Sequence, residues 1–362
     1  MITYCTNIHP GENWEDTFLN LQTHIPCIQA AVSADAQFPI GLRLSNRAAA
    51  ELTPQMSAVF VEWLRHTKTY IPTINGFPYG SFHATRVKEK VYLPDWRQPE
   101  RADYTRRLAD LLDCWLPADV QGSISTVPIG FRGCVSDTDL GSVRKNLVDV
   151  LEHLDRLRQA SGKTILLALE PEPGCLLETT EDVIAFFERM NFSDQQRSCL
   201  GVCLDCCHLA VEFENPVDAV SQLDKAGIAI AKVQISSAPR LLDPPRDVLE
   251  ALCEPVYLHQ VVIRSSEGVL TRYTDIPEAL QQHPCRSGDE WRIHFHLPIF
   301  LEQTAWGDTT QHCIIDLLPL LDRRTLLEVE TYTWDVLPAE LRPDSVTHSI
   351  IHEIEWLKGH WL

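Results

Sequence analysis

Residues 164–175 read TILLALEPEPGC, and the reading of this stretch decides the fold. A continuous apolar run, Ile165 to Leu169, meets a carboxylate at Glu170, and two prolines and a glycine then stop any further extension. A buried strand that ends on an acid and breaks at once is how a parallel α/β barrel builds a site at the carboxyl ends of its strands. Two later stretches repeat the pattern. CLGVCLDCCH brings Asp205 and His208, and TLLEVETYTW brings Glu328 and Glu330.

Outward from there, apolar runs and amphipathic stretches alternate. Strands are predicted at 2–6, 38–44, 70–74, 120–127, 165–169, 199–205, 228–235 and 325–331. Between them, helical spacing is clearest from Asp139 to Ala160, where Leu147, Val150, Leu151, Leu154 and Leu157 recur and Gly162 stops the run. Other helices are expected from Glu15, Arg47, Pro54, Arg101, Thr180 (with Thr180 as N-cap) and Val217. The alternation predicts an α/β fold, a (β/α)8 TIM barrel in a single domain over 1–362. Roughly ninety residues separate the last two strands, too many for one loop, so 239–311 is read as an elaborated insertion on the active face. The tail from Ser345 is a C-terminal amphipathic helix docking on the barrel.

Composition narrows the function classes. A formal net charge of −19 excludes a nucleic-acid backbone as partner, since phosphates need a basic face. No apolar run is long enough to span a bilayer, and MITYCTNIHPGENW has no basic start or apolar core of a secretion signal, so a cytoplasmic location is expected. Twelve cysteines in 362 residues read as reduced thiols. Cys203, Cys206 and Cys207 straddle a strand end with no second pair at zinc-ribbon spacing, so neither a structural zinc nor a redox motif is expected.

The chemistry lies in the carboxylates. Glu170, Asp205, Glu328 and Glu330 sit at strand ends, and burying several ionised acids together is costly unless they are protonated, paired with Lys232 or Arg43, or bound to a cation. Oxygen donors with one nitrogen or amide suit Mn²⁺, Mg²⁺ or Zn²⁺. Gln234 ends the seventh strand and offers an amide oxygen, while His294 and His296 share one side of an extended segment. Asn7, His9, Arg43, Asn75, Phe77, Tyr79, Lys232, His259, His294 and Trp334 are the candidate substrate contacts.

The blocks LALEPEPG, LDCCH, KVQISSA, HFHLPIF and LLEVETYTW resemble the xylose-isomerase-like TIM barrels, the sugar (phosphate) isomerases and epimerases. The resemblance implies a divalent metal held by Glu170, Asp205 and Glu330, with His208 contacting the sugar. Where those barrels carry a histidine after the seventh strand this chain has Gln234, so either Gln234 or His296 completes the set. Glu170 and Glu330 would then exchange a substrate proton. Further blocks, YCTNIHPGENW, IGLRLSNRAAAEL, TINGFPYGSFH, VKEKVYLPDW and EPVYLHQVV, resemble the EboE metabolite-traffic proteins, found in bacterial clusters beside a UbiA-type prenyltransferase. That resemblance implies a small-molecule, polyhydroxylated or lipid-linked metabolite. The alternative is a non-catalytic barrel that carries the metabolite to membrane enzymes.

Overall fold

The computed structural model describes residues 1–34, 36–83, 86–284, 286–342 and 345–361, so Cys285 of the insertion and Leu362 of the tail lie outside it. Seven parallel strands come first: β1 (Ile2–Tyr4), β2 (Phe38–Arg43), β3 (Thr69–Asn75), β4 (Gly122–Thr126), β5 (Ile165–Leu169), β6 (Leu200–Asp205) and β7 (Ala229–Ile235). Six short strands follow: β8 (Pro239–Leu242), β9 (Val261–Arg264), β10 (Leu270–Tyr273), β11 (Glu290–Ile293), β12 (Gln303–Thr304) and β13 (Gly307–Thr309). The chain then returns to the first sheet with β14 (Leu327–Val329). That sheet runs β1-β14-β7-β6-β5-β4-β3-β2, parallel throughout, and a parallel bridge from Cys5 to Gly41 brings its two ends together. The fold is the expected (β/α)8 TIM barrel.

Local signals explain the elements. The strands are buried on both faces, which is why they read as unbroken apolar runs. The helix Leu140–Ser161 ends on Gly162 in the left-handed conformation (φ 78°) and buries Val143, Leu147, Val150, Leu151 and Leu154 against the sheet. The helix Thr180–Met190 has the expected bounds, but its N-cap is Thr179 rather than Thr180, in a reciprocal capping box with Asp182. Pro26 lies inside the helix Trp14–Val32 without ending it. The tail helix Val346–Trp361 buries Ile350, Ile354 and Leu357 and packs on the helix Trp14–Val32, where His24 bonds Thr347. No described helix is long and apolar enough to cross a membrane.

The insertion is more than a loop. Its strands form a separate sheet, β10-β9-β11-β8-β13-β12, around Leu241, Ile263, Trp291, Ile293 and Phe295. As β11 ends, the chain passes antiparallel to the residues following β7, with Leu297 N–H donating to Ser237 carbonyl (2.8 Å). His294 and His296 are thereby laid across the mouth of the barrel.

Two buried details yield predictions. Inside the barrel Lys232 pairs with Glu328, both fully buried, and the Glu328 carboxylate fills the space left by Gly41, where a Cβ would lie 1.9 Å from Oε1. Gly41→Ala should therefore cost at least about 2 kcal/mol, read as a lower urea midpoint. Glu353, on the tail helix, accepts from Thr331 Oγ1 (2.6 Å) and Ile299 N–H (3.2 Å), and burial lifts its carboxyl to about 7. A raised acid stabilises the fold fully below its unfolded value and ceases to do so as pH rises through 7, up to about 3 kcal/mol. Glu353→Gln should flatten the loss of Tm between pH 5 and pH 8 relative to wild type.

Candidate metal centre

β5, β6 and β14 end at the same height, and the residues there turn inward. Donor oxygens of Glu170, Asp205 and Glu330 lie within 4.8 Å of one another, all buried. A second triangle within the same limit, Asp205, His208 and His296, shares Asp205 with the first. Each side chain is held from behind. Glu330 Oε1 accepts from Asn7 (2.8 Å) and Asn75 (3.0 Å). Asp205 Oδ1 accepts from Ser236 Oγ (2.7 Å) and His208 N–H (3.0 Å). His296 places Nδ1 on the Glu330 carbonyl (2.8 Å), which fixes the hydrogen on Nδ1 and leaves Nε2 as a lone-pair donor.

Three atoms of this set have no partner: Glu170 Oε2, Asp205 Oδ2 and His296 Nε2. Buried polar atoms are almost always satisfied, so three orphaned acceptors in one place mark a position shaped for a positive charge. The electrostatics agree. Burial, and then Glu330 opposite, push Glu170 well above the usual carboxylate range; burial, with Asp205 and Glu328, does the same to Glu330. Burial pushes Asp205 up as well, but His208 and His296 beside it prevail and hold it below its ordinary value. Burial brings His296 down to about 4, so it is a neutral donor at physiological pH. Lys232 offsets the repulsion among the acids only in part: burial opposes its charge, Glu328 holds the ammonium raised, and its ion pair is with Glu328. The donor set of carboxylate oxygens and one imidazole fits a divalent cation.

Gln234 is not the completing donor in this geometry. Its Oε1 accepts from the Cys203 thiol (3.0 Å), leaving the amide nitrogen without a partner. Cys203, Cys206 and Cys207 are free and buried, and burial raises all three thiols well above their ordinary value. Cys207 does lie close to His294 and His296, but as a protonated thiol it is a poor ligand.

Above the centre opens a cleft. Asn7, Asn75, Phe77, His208 and His294 line it, as the sequence reading expects of them. Other expected substrate contacts turn elsewhere. His9 stacks on His24 and bonds Tyr4 beneath a separate pocket. Arg43 is spent on Glu12 and the carbonyls of Gly11 and Gly80. Tyr79 packs edge-on against Tyr104, Lys232 is closed on Glu328 in the barrel interior, and Trp334 packs between the two hydrophobic cores. His259 stacks on Phe295 and bridges the His294 carbonyl to Glu254.

The structure adds residues that the sequence reading missed. Glu172 faces the cleft, raised by burial, accepting from Tyr92 hydroxyl (2.7 Å) and Gln260 (3.2 Å). Gln260 Oε1 accepts from His294 Nδ1 (2.7 Å) and the Pro171 carbonyl from His208 Nδ1 (2.9 Å), so the two Nε2 atoms, 3.1 Å apart, face each other as lone pairs whenever both rings are neutral. Tyr332 closes the far side. Glu172 and Tyr332 each stand two residues beyond a centre acid, a period that extended backbone would have signalled.

No family model matches the sequence, and no curated protein matches it. Solved structures do match. A xylose-isomerase-like TIM barrel protein from Mycobacterium smegmatis, in complex with magnesium, aligns over 100% of this chain and 97% of its own at 13% identity and a TM-score of 0.54. The fold shared with these structures is the TIM barrel. D-allulose 3-epimerase from Methylomonas, in complex with D-allulose, aligns over 99% of this chain and 96% of its own (10% identity, TM-score 0.54). The IolI protein with a bound zinc atom aligns over the same 99% and 96% (14% identity, TM-score 0.52).

The centre predicts its own mutagenesis. His296→Ala should weaken Mn²⁺ binding more than about tenfold, a loss seen even for residues that only orient ligands, whereas Gln234→Ala should leave it nearly unchanged. Because Glu170 and Glu330 hold protons well above the ordinary range, binding must release them. Affinity, measured by calorimetry, should therefore climb with pH, with protons appearing in the buffer.

Proposed function

We propose that this chain is a divalent-metal-dependent isomerase or epimerase acting on a small hydroxylated carbonyl compound, working as one domain with residues 239–311 as its roof. The observation that carries this reading is the trio of acceptors on Glu170, Asp205 and His296 that are unpartnered among the described residues, of which Glu170 reaches the cleft. Glu170, Asp205, Glu330 and His296 would hold Mn²⁺, Mg²⁺ or Zn²⁺. When bound, the cation supplies Lewis-acid polarisation of a carbonyl and its neighbouring hydroxyl.

The rest is done by the chain. Glu170 and Glu330 both border the cleft, so one can take a proton from the carbon beside the carbonyl while the other returns one. His208, anchored through Nδ1 on the Pro171 carbonyl (2.9 Å), orients a hydroxyl, and Glu172 fixes the His294 side of the pair through Gln260. The aromatic roof of Phe82, Tyr257 and Tyr332 keeps water from the reacting carbon. Neighbouring folds that bind magnesium, zinc or D-allulose lend support.

We place the reaction in the cytoplasm, in maturation or export of a metabolite of the EboE type, linked to a UbiA-type prenyltransferase. The sequence blocks quoted above are what support that placement. A metal-free protein that still binds a metabolite would instead be a carrier.

The test is solvent exchange. Ketohexoses such as D-fructose and D-allulose, incubated with Mn²⁺-loaded protein in D₂O, should lose the proton signal beside the carbonyl. Glu170→Gln and Glu330→Gln should each slow that loss at least about 100-fold, the low end of a general acid–base contribution. Exchange that persists in both variants would end the two-carboxylate reading.

A further inference from the structure

The cleft is chemically divided. Its base offers acceptors that lack partners among the described residues: Glu170 Oε2, and Asn7 Oδ1 behind Glu330. Its outer half is walled by Phe77, Phe82, Val91, Tyr257, Leu258 and Tyr332. Phe77, Phe82, Tyr257 and Leu258 are at most 7% exposed. Three of the polar groups that reach this half are already engaged, while the Tyr257 hydroxyl has no hydrogen bond among the described residues. Tyr92 hydroxyl donates to Glu172 (2.7 Å), Lys88 is bound to Asp275 (2.5 Å), and Tyr332 hydroxyl stands 3.5 Å from His294 Nε2.

Away from the Tyr257 hydroxyl, a hydroxyl lodged against these walls would surrender its water without gaining a partner. A polyol stretched through the cleft is therefore disfavoured, while an apolar ring gains from every wall it touches. The outer end is also short. Phe82, Tyr257 and Tyr332 meet with ring centroids 5.0–5.3 Å apart, joining the loop after β3 to the insertion. Val87 and Lys88 both donate backbone N–H to the Val256 carbonyl (2.9 and 3.2 Å) and hold that roof in place.

We propose that the substrate has a hydroxy-carbonyl head for the acidic base of the cleft and a compact apolar body, an aromatic or alicyclic ring, for its outer half. This rests on the reading of the base as a metal centre that accepts such a head, and extends it to the part of the molecule that does not react. The ring decides which metabolite enters; the head decides what happens to it.

A matched pair of probes tests this on the full chain. Hydroxyacetone and 2-hydroxyacetophenone share one head and differ by methyl against phenyl; D-fructose carries the head with a polyol body, and 1-hydroxydodecan-2-one carries it with a long chain. With Mn²⁺-loaded protein, ligand-observed NMR should give the phenyl ketone at least tenfold tighter binding than hydroxyacetone. D-Fructose should bind no better than hydroxyacetone, and the long chain less tightly than the phenyl ketone. Leu258→Asn should pull the phenyl-to-methyl ratio toward one. Equal binding of the pair, D-fructose ahead of the phenyl ketone, or the long chain ahead of it would overturn the proposal. The same ratio measured in EDTA separates the two readings: a phenyl preference that persists while Mn²⁺ fails to bind refutes the metal-dependent reaction and leaves the apolar half of the site standing.

Discussion

Charge balance inside the barrel governs the rest of this structure. Four buried carboxylates, Glu170, Asp205, Glu328 and Glu330, surround a space that contains one lysine, and that lysine is committed to Glu328. Removing an ion from water costs several kcal/mol unless an opposite charge or good hydrogen bonds replace the solvent. Asn7, Asn75 and Ser236 supply some of those bonds, and protonation of Glu170 and Glu330 supplies the remainder while no cation is present. A fold stabilised largely by hydrophobic burial gathers this expense where β5, β6 and β14 stop. Concentrated strain of that kind is expected where a protein does chemistry.

Much of the framework was legible beforehand. The eight barrel strands lie where apolar runs end in acids or turn residues, because a strand covered on both faces has no solvent side to encode. Glu170, Asp205 and Glu330 converge as their position at strand ends implied. The helix stop at Gly162 was equally plain, since only glycine takes that left-handed turn without strain.

What stayed hidden depended on register and on contacts far apart in sequence. His259 and Gln260 are neighbours; which one faces the cleft is set by how β9 pairs with β11, and Gln260 is the one that reaches Glu172. Arg43 carries a charge that invites a role at the centre, yet Glu12 and two loop carbonyls claim it thirty residues away in the chain. Gln234 occupies the strand position where a histidine was looked for, and only the antiparallel contact at Ser237 and Leu297 reveals that His296 is brought beside Asp205. Short-range patterns cannot carry such information, because loop closure over sixty residues leaves no local trace.

The delivery of His296 by the inserted sheet has a consequence for assembly. Three corners of the centre sit at the ends of parallel strands, but His296 is held there by some sixty residues that form their own core and pass back over the opening. Trimming this chain to a minimal barrel would leave its acids with His208 but without His296. The outer sheet is thus a working part of the vessel, less a lid than the keystone of its rim.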